Sequence, residues 1–356
     1  MLHSLKYLII LDTTSDINHT EQLTIVIRFV YHNKSRNVAE IREQFLGFQS
    51  VTDTTSVGLF EFIINHLKLM NINISDLRGQ SYDNGANMRG RHNGLQQKIL
   101  EINSRASFVP CAAHSLNLVV NDAAKISFET VNFFSVIQEL YNYFSISVTG
   151  WNVLKKYVKN LTLKPLSATR WEALKPLKMY MSEIYQALFD ITNDHTKDMD
   201  SRAQANNIIS KICSFKFLCS VSIWYDILNL VNIVSKIMQK PTFDLQLVTE
   251  NLNSVLNNLK SLRTDEKFEE LMTSAMAKAR ELDIEPDFPE TRKRKKRKLF
   301  DYEASDDTVN DAKHDFKINF YFAILDTTIS SISERFQQLQ QHNEDNTQHQ
   351  RSKTMG

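Results

Sequence analysis

Two hydrophobic rhythms divide this chain, and the change between them limits the fold more than any other feature. The first fifty residues hold short runs rich in β-branched and aromatic side chains: Lys6–Leu11 (KYLIIL), Thr24–Val30 (TIVIRFV) and Ala39–Gln49 (AEIREQFLGFQ). Runs of this length and composition predict strands, the first buried on both faces. Beyond about residue 125 the spacing of apolar residues changes to three and four. Phe133, Ile137, Leu140 and Phe144 form one stripe; Leu230, Val231, Val234, Ile237 and Met238 a second; Leu245, Val248, Leu252, Val255, Leu259 and Leu262 a third. Such stripes are the buried faces of bundled helices. Only 8 glycines and 6 prolines punctuate 356 residues, which favours long helices.

Between the two regions the elements alternate. Thr54 or Thr55 can cap a helix carrying Leu59, Phe60, Ile63, Ile64 and Leu67. Leu77–Tyr82 predicts a fourth strand ending at Asp83, Phe108–Pro110 a fifth, and a helix follows from about Ala112. Three strands joined by short polar connections, then helix, strand, helix and strand, is the order of an α/β RNase H-like mixed sheet with flanking helices, followed here by a large all-α insertion domain. The expected organisation is a core over 1–125, a helical insertion over 126–282, a charged linker over 283–315, a helical segment over 316–340 returning to the core, and a disordered tail over 341–356.

Charge sharpens this division. Lys and Arg number 42 against 41 Asp and Glu, yet seven cations sit together at Arg292, Lys293, Arg294, Lys295, Lys296, Arg297 and Lys298. The rest of the chain is therefore mildly acidic, and one segment carries the positive field. That run reads as a nuclear localisation signal, as a phosphate-backbone contact, or as a solvated linker. Three cysteines are too few for a disulfide framework, and no apolar run is read as reaching transmembrane length. A soluble intracellular protein is expected, without a membrane partner or a small-molecule substrate.

Two carboxylates stand at predicted strand ends, Asp12 and Asp83. The first and fourth strands of such a sheet are neighbours, so these acids would face each other although 71 residues separate them. Magnesium takes hard oxygen ligands and commonly only one or two protein carboxylates. The plainer reading makes each Asp a turn or cap residue.

Asp12-Thr13-Thr14-Ser15-Asp16 with Glu21–Arg28 resembles the first catalytic block of hAT-superfamily DNA transposases, and Gly79–Gly90 (GQSYDNGANMRG) resembles the second. Cys111-Ala112-Ala113-His114 is similar to their C-x-x-H block and Ala168-Thr169-Arg170-Trp171 to their R-W block. Order and wording resemble most the transposase-derived group related to zinc-finger MYM-type proteins. The resemblance implies an RNase H-like nuclease core with catalytic, magnesium- or manganese-binding Asp12 and Asp83. Asn84, Asn87, Cys111 and His114 are then neighbouring motif residues.

It also implies a third acid after the insertion, in a Ser-Glu-Arg-x-Phe-Ser context. Ser333-Glu334-Arg335-Phe336 imitates that phrase, while residues 316–326 resemble a segment well upstream of it. Glu334 is thus the stand-in for the third acid, and a solvated helical Glu is the preferred reading. The expectation is a truncated family plan, lacking both the third acid and the N-terminal zinc module.

Other readings stay open. Cys111 and His114 have a zinc-ligand spacing without two further ligands nearby, so zinc is not expected. Arg170 and Trp171 suit a phosphate contact and a base-stacking wedge, or a helix-start Trp in the core. The expected function is a nuclear, transposase-derived protein with an incomplete catalytic core that binds DNA, protein partners or itself. The competing expectation is an active magnesium-dependent transposase or nuclease.

Overall fold

The structure is a computed structural model, and it describes residues 6–17, 20–83, 85–90, 93–160, 163–165, 174–239, 245–288 and 311–337. The chain divides into two compact units, Met1–Ser115 and Leu116–Gly356.

The first unit is built on a five-stranded sheet. Its strands are β1 (Tyr7–Ser15), β2 (Glu21–Asn33), β3 (Val38–Val51), β4 (Leu77–Ser81) and β5 (Ser107–Phe108), in the order β3-β2-β1-β4-β5. β1, β2 and β3 form an antiparallel meander, whereas β4 runs parallel to β1 and β5 parallel to β4. This is the mixed sheet of an RNase-like domain. Helices α1 (Ser56–Leu69), α2 (Ala86–Arg89), α3 (Leu95–Ile102) and α4 (Ala112–Ala124) alternate with the later strands, and the boundary between the units falls within α4.

Alternation along β1 sets the layers. Tyr7, Ile9 and Leu11 are buried while Leu8 and Ile10 are half-buried. With Leu23, Ile25 and Ile27 of β2 they meet Leu59, Ile63 and Leu67 of α1 and Leu95 and Ile99 of α3 in one core. Of the two candidate caps of α1, Thr55 is the one used: its hydroxyl accepts from the Gly58 N–H at 3.2 Å.

β2 and β3 run further than their apolar runs suggest. The polar residues Tyr31, His32 and Asn33 stay paired with Glu40, Ala39 and Val38, lengthening the hairpin. Near the middle of β3 the register slips. Ile25 faces Gly47, but Val26 faces Phe45, so Leu46 is an extra residue in a bulge. Gly47 holds φ +118°, a conformation that side-chain-bearing residues rarely adopt.

Among the described residues, every regular element of the second unit is a helix. It contains α5 (Phe128–Ser145), α6 (Val148–Tyr157), α7 (Leu174–Met179), α8 (Met181–Asn193), α9 (Met199–Ile212), α10 (Phe215–Met238), α11 (Leu245–Leu262) and α12 (Asp265–Glu281). After α13 (Ala312–Phe316) a π-helical turn, Lys317–Phe322, leads into a helix over 323–337. Polar caps start many of these helices: Ser127, Ser147, Asp198, Ser214 and Thr264 each accept from a first-turn N–H. Phe133, Ile137, Leu140 and Phe144 are all buried, as are Val248, Leu252, Val255 and Leu259.

Two segments differ from their expected form. α10 is 24 residues long and holds an 18-residue stretch of mean hydropathy 1.6, long and apolar enough by composition to cross a bilayer, although no run of that kind was expected. Most of that stretch is buried, with Trp224 and Cys219 wholly enclosed, so α10 is apolar because it is the central core helix. The helix over 312–316 begins inside the stretch assigned to the charged linker, and Phe288 packs on Phe215 and Phe316 at 5.1 and 5.0 Å. The basic run 292–298 and the tail 341–356 lie outside the described residues.

Candidate functional site

The site starts from strand register. β1 and β4 pair in parallel, Ile9 with Gln80 and Ile10 with Ser81. Continued two residues, the same register sets Asp12 level with Asp83. Paired residues on neighbouring strands share a face, so both carboxylates belong to the face opposite buried Ile9 and Leu11. Neighbouring strands are about 4.8 Å apart, and the Asp83 charge is felt at Asp12. On its other side Asp12 pairs with Thr24 of β2.

A buried polar network fixes the end of β4. Gln80 is fully buried and all its side-chain groups are used. Its amide donates to the Ala106 carbonyl at 2.9 Å and the Gln96 carbonyl at 3.2 Å, and its oxygen accepts the Tyr82 hydroxyl at 2.6 Å. Tyr82 lies against Phe108 with ring centroids 4.9 Å apart, and burial pushes its phenol far above the ordinary range. The segment after β5 is tied to the same strand: Val109 N–H donates to Gln80 O and Cys111 N–H to Tyr82 O, both at 2.9 Å. Cys111 therefore serves through its backbone at the head of α4. His114 follows in the first turn, half-buried.

The turn after Asp83 is equally constrained. The Gly85 N–H donates to the Asp83 carboxylate at 3.1 Å. A Cβ on Gly85 would stand 2.9 Å from the Asn87 side-chain oxygen and 3.2 Å from an Asp83 oxygen, so glycine is what lets this turn close. Asn87 donates to the Thr54 carbonyl at 2.8 Å and ties the loop before α1 to the Asp83 turn.

Electrostatics follow from this geometry. The Asp12 carboxyl is raised above its ordinary 3.8, first by partial burial and next by the negative charge of Asp83. The Thr13 N–H and the nearby His114 act in the opposite direction. A cation beside the two carboxylates would relieve the effect of the Asp83 charge on Asp12. Two hard oxygen ligands suit magnesium or manganese, with water and phosphate oxygens completing the shell. Among the described residues no group of three His, Cys, Asp or Glu side chains is arranged to hold an ion.

Residues 2–94, which include both acids, match the ZMYM1/FAM200, RNase-like domain family (DUF4371). Asp12, Asp83 and Asn87 all fall inside the matched stretch of the RNase-like domain; Cys111 and His114 lie beyond it. The match supports a relation to ZMYM/FAM200-like, transposase-derived proteins.

The remaining sequence candidates belong to the second unit or lie outside the described residues. Asn84, Arg170, Trp171 and Arg292–Lys298 lie outside the described residues. Glu334 is exposed on the 323–337 helix of the second unit. Its neighbours have structural partners there: Arg335 donates to Asp122 at 2.7 Å, and Phe336 is buried. Sequence reasoning missed Gln80, Tyr82 and Thr54. Gln80 inside a short strand is a usable signal, since a glutamine there must find several partners, whereas the Thr54 carbonyl leaves no mark in the sequence.

Proposed function

We propose that the chain is a nuclear, transposase-derived protein of hAT type. Its RNase-like domain binds DNA around a two-carboxylate cation seat without completing strand cleavage. The observation that carries this reading is the parallel β1–β4 register, which when continued two residues sets Asp12 level with Asp83, together with the influence of the Asp83 charge on Asp12. A divalent cation bound between them would neutralise phosphate and polarise its oxygens. The residues of the chain supply the rest: Gln80 and Tyr82 hold the strand end, and Gly85 and Asn87 shape the turn that presents Asp83.

The incompleteness rests on the third acid. The stand-in phrase is Ser333–Phe336, where Arg335 and Phe336 serve the helical unit and Glu334 is exposed. Losing a ligand from such a clamp costs orders of magnitude in rate. The nuclear assignment rests on the cationic run Arg292–Lys298.

Thermal unfolding with added Mn²⁺ or Mg²⁺ tests the seat, and a strand-cleavage assay tests the chemistry. The cations should raise the unfolding temperature of the unaltered chain but not of Asp83→Asn. Cleavage should not exceed that of Asp83→Ala. Metal-dependent cleavage lost in both Asp83→Ala and Glu334→Gln would instead establish an active nuclease with Glu334 as third ligand.

A further inference from the structure

The bulge in β3 has a consequence for the same sheet face. Phe45 and Phe48 are three residues apart, and in a regular strand they would point to opposite faces. The extra residue Leu46 resets the alternation. Phe45 pairs with Val26 and Phe48 with Thr24, two positions that share a face, while Leu46 packs into the core. Both rings emerge together, 5.1 Å between centroids and edge to face, and they remain 49% and 68% exposed. Thr24 is the partner of Asp12. Phe48, Thr24 and Asp12 thus form one cross-strand row, and two strand spacings separate Phe48 from Asp12 by about 10 Å.

We propose that Phe45 and Phe48 form a stacking platform for unpaired bases of a nucleic-acid strand whose backbone reaches Asp12 and Asp83. This rests on the proposed cation seat and adds a base-binding subsite to it. Every base has a π-face, so aromatic platforms hold single strands with little regard to sequence. Charge along the hairpin fits the same ligand. Its acids Glu43 and Glu40 are paired with Arg28 and Arg42, which leaves Lys34 and Arg36 at the turn without ion pairs among the described residues. The hairpin therefore offers rings beside the acids and uncompensated cations at its tip, where phosphates can be met. A second copy of the chain is a poorer occupant, because the bulge and the charged residues Glu40, Arg42 and Glu43 blunt the edge of β3 for strand pairing.

The test is fluorescence anisotropy of the full chain with a fluorescein-labelled, mixed-sequence single-stranded oligodeoxynucleotide in EDTA. Duplex of the same length is the comparison, and sedimentation is run in parallel. The double variant Phe45→Ala, Phe48→Ala should weaken single-strand binding roughly tenfold or more and duplex binding far less. Phe48→Trp should retain affinity, which separates stacking from a folding defect. Lys34→Ala with Arg36→Ala should flatten the salt dependence by roughly 0.7 for each phosphate no longer neutralised. No binding by the unaltered chain, unchanged affinity of the double variant, or a dimer dissolved by the double variant would each overturn the platform. Because EDTA removes divalent cations, failure of the cation seat appears separately, as a missing Mn²⁺ response with anisotropy intact.

Discussion

Tyr82 donates a hydrogen bond from its phenolic O–H to the side-chain oxygen of Gln80 at 2.6 Å, both side chains being buried in the layer beneath the strand end that leads to Asp83. Gln80 lies on the core face of β4 and Tyr82, just past its end, is buried with it, whereas the alternation turns Asp83 the other way. A polar network inside the core thus holds an acid on the outside.

Tyr82→Phe is expected to cost about 1–3 kcal/mol, because the Gln80 oxygen is left buried without a donor. Chemical unfolding of the variant measures this. Gln80→Leu also takes the donor from the Ala106 and Gln96 carbonyls and should cost more than Tyr82→Phe, while the double variant should cost less than the sum of the two because both single changes break the same Tyr82–Gln80 bond.

Asp12→Asn should change how stability depends on pH. The folded chain holds the Asp12 proton more tightly than the unfolded chain, so this residue's contribution is fully present below pH 3.8 and is lost as pH rises through its raised value. Asn cannot ionise. The variant should therefore gain stability relative to the unaltered protein across that window and keep a constant small advantage above it. Solvent exposure of Asp12 keeps the effect modest, and thermal unfolding between pH 3 and 7 reads it directly.

Gly85→Ala introduces a methyl group 2.9 Å from the Asn87 side-chain oxygen and 3.2 Å from the Asp83 carboxylate. Both are side-chain tips and can move, so the fold should survive with a loss of about 1 kcal/mol. What should suffer more is the orientation of Asp83. The Mn²⁺-dependent rise in unfolding temperature should fall by half or more, whereas Ala substituted at exposed Glu61 of α1 should leave that rise intact.

Thr55→Ala removes the hydroxyl that accepts the Gly58 N–H at the start of α1 and should cost about 1 kcal/mol. Thr55→Ser should restore it. Circular dichroism during chemical unfolding distinguishes the two.

Much of the α/β unit could be read from the sequence because its signals are local. Asp12 closes an apolar run and Asp83 opens a glycine-containing turn, which is why both acids stood out. The parts that escaped depend on partners far away in the chain. Tyr31, His32 and Asn33 look like loop residues and become strand only because Val38–Glu40 lie opposite them. The bulge did leave a trace, an isolated Gly47 within a strand pattern, but which rings it would align depends on the register with β2. α10 hides its length for another reason: a helix surrounded by others is apolar on nearly every side, and the periodic contrast that marks amphipathic helices fades.

The parallel register of β1 and β4 carries a consequence for how this region tolerates genetic change. Gaining or losing one codon between Leu77 and Asp83 keeps every chemical group the pair requires, yet it turns Asp83 into the core and brings Tyr82 or its neighbour outward. Across this stretch natural variation should accept exchanges of residue type far more readily than changes of length.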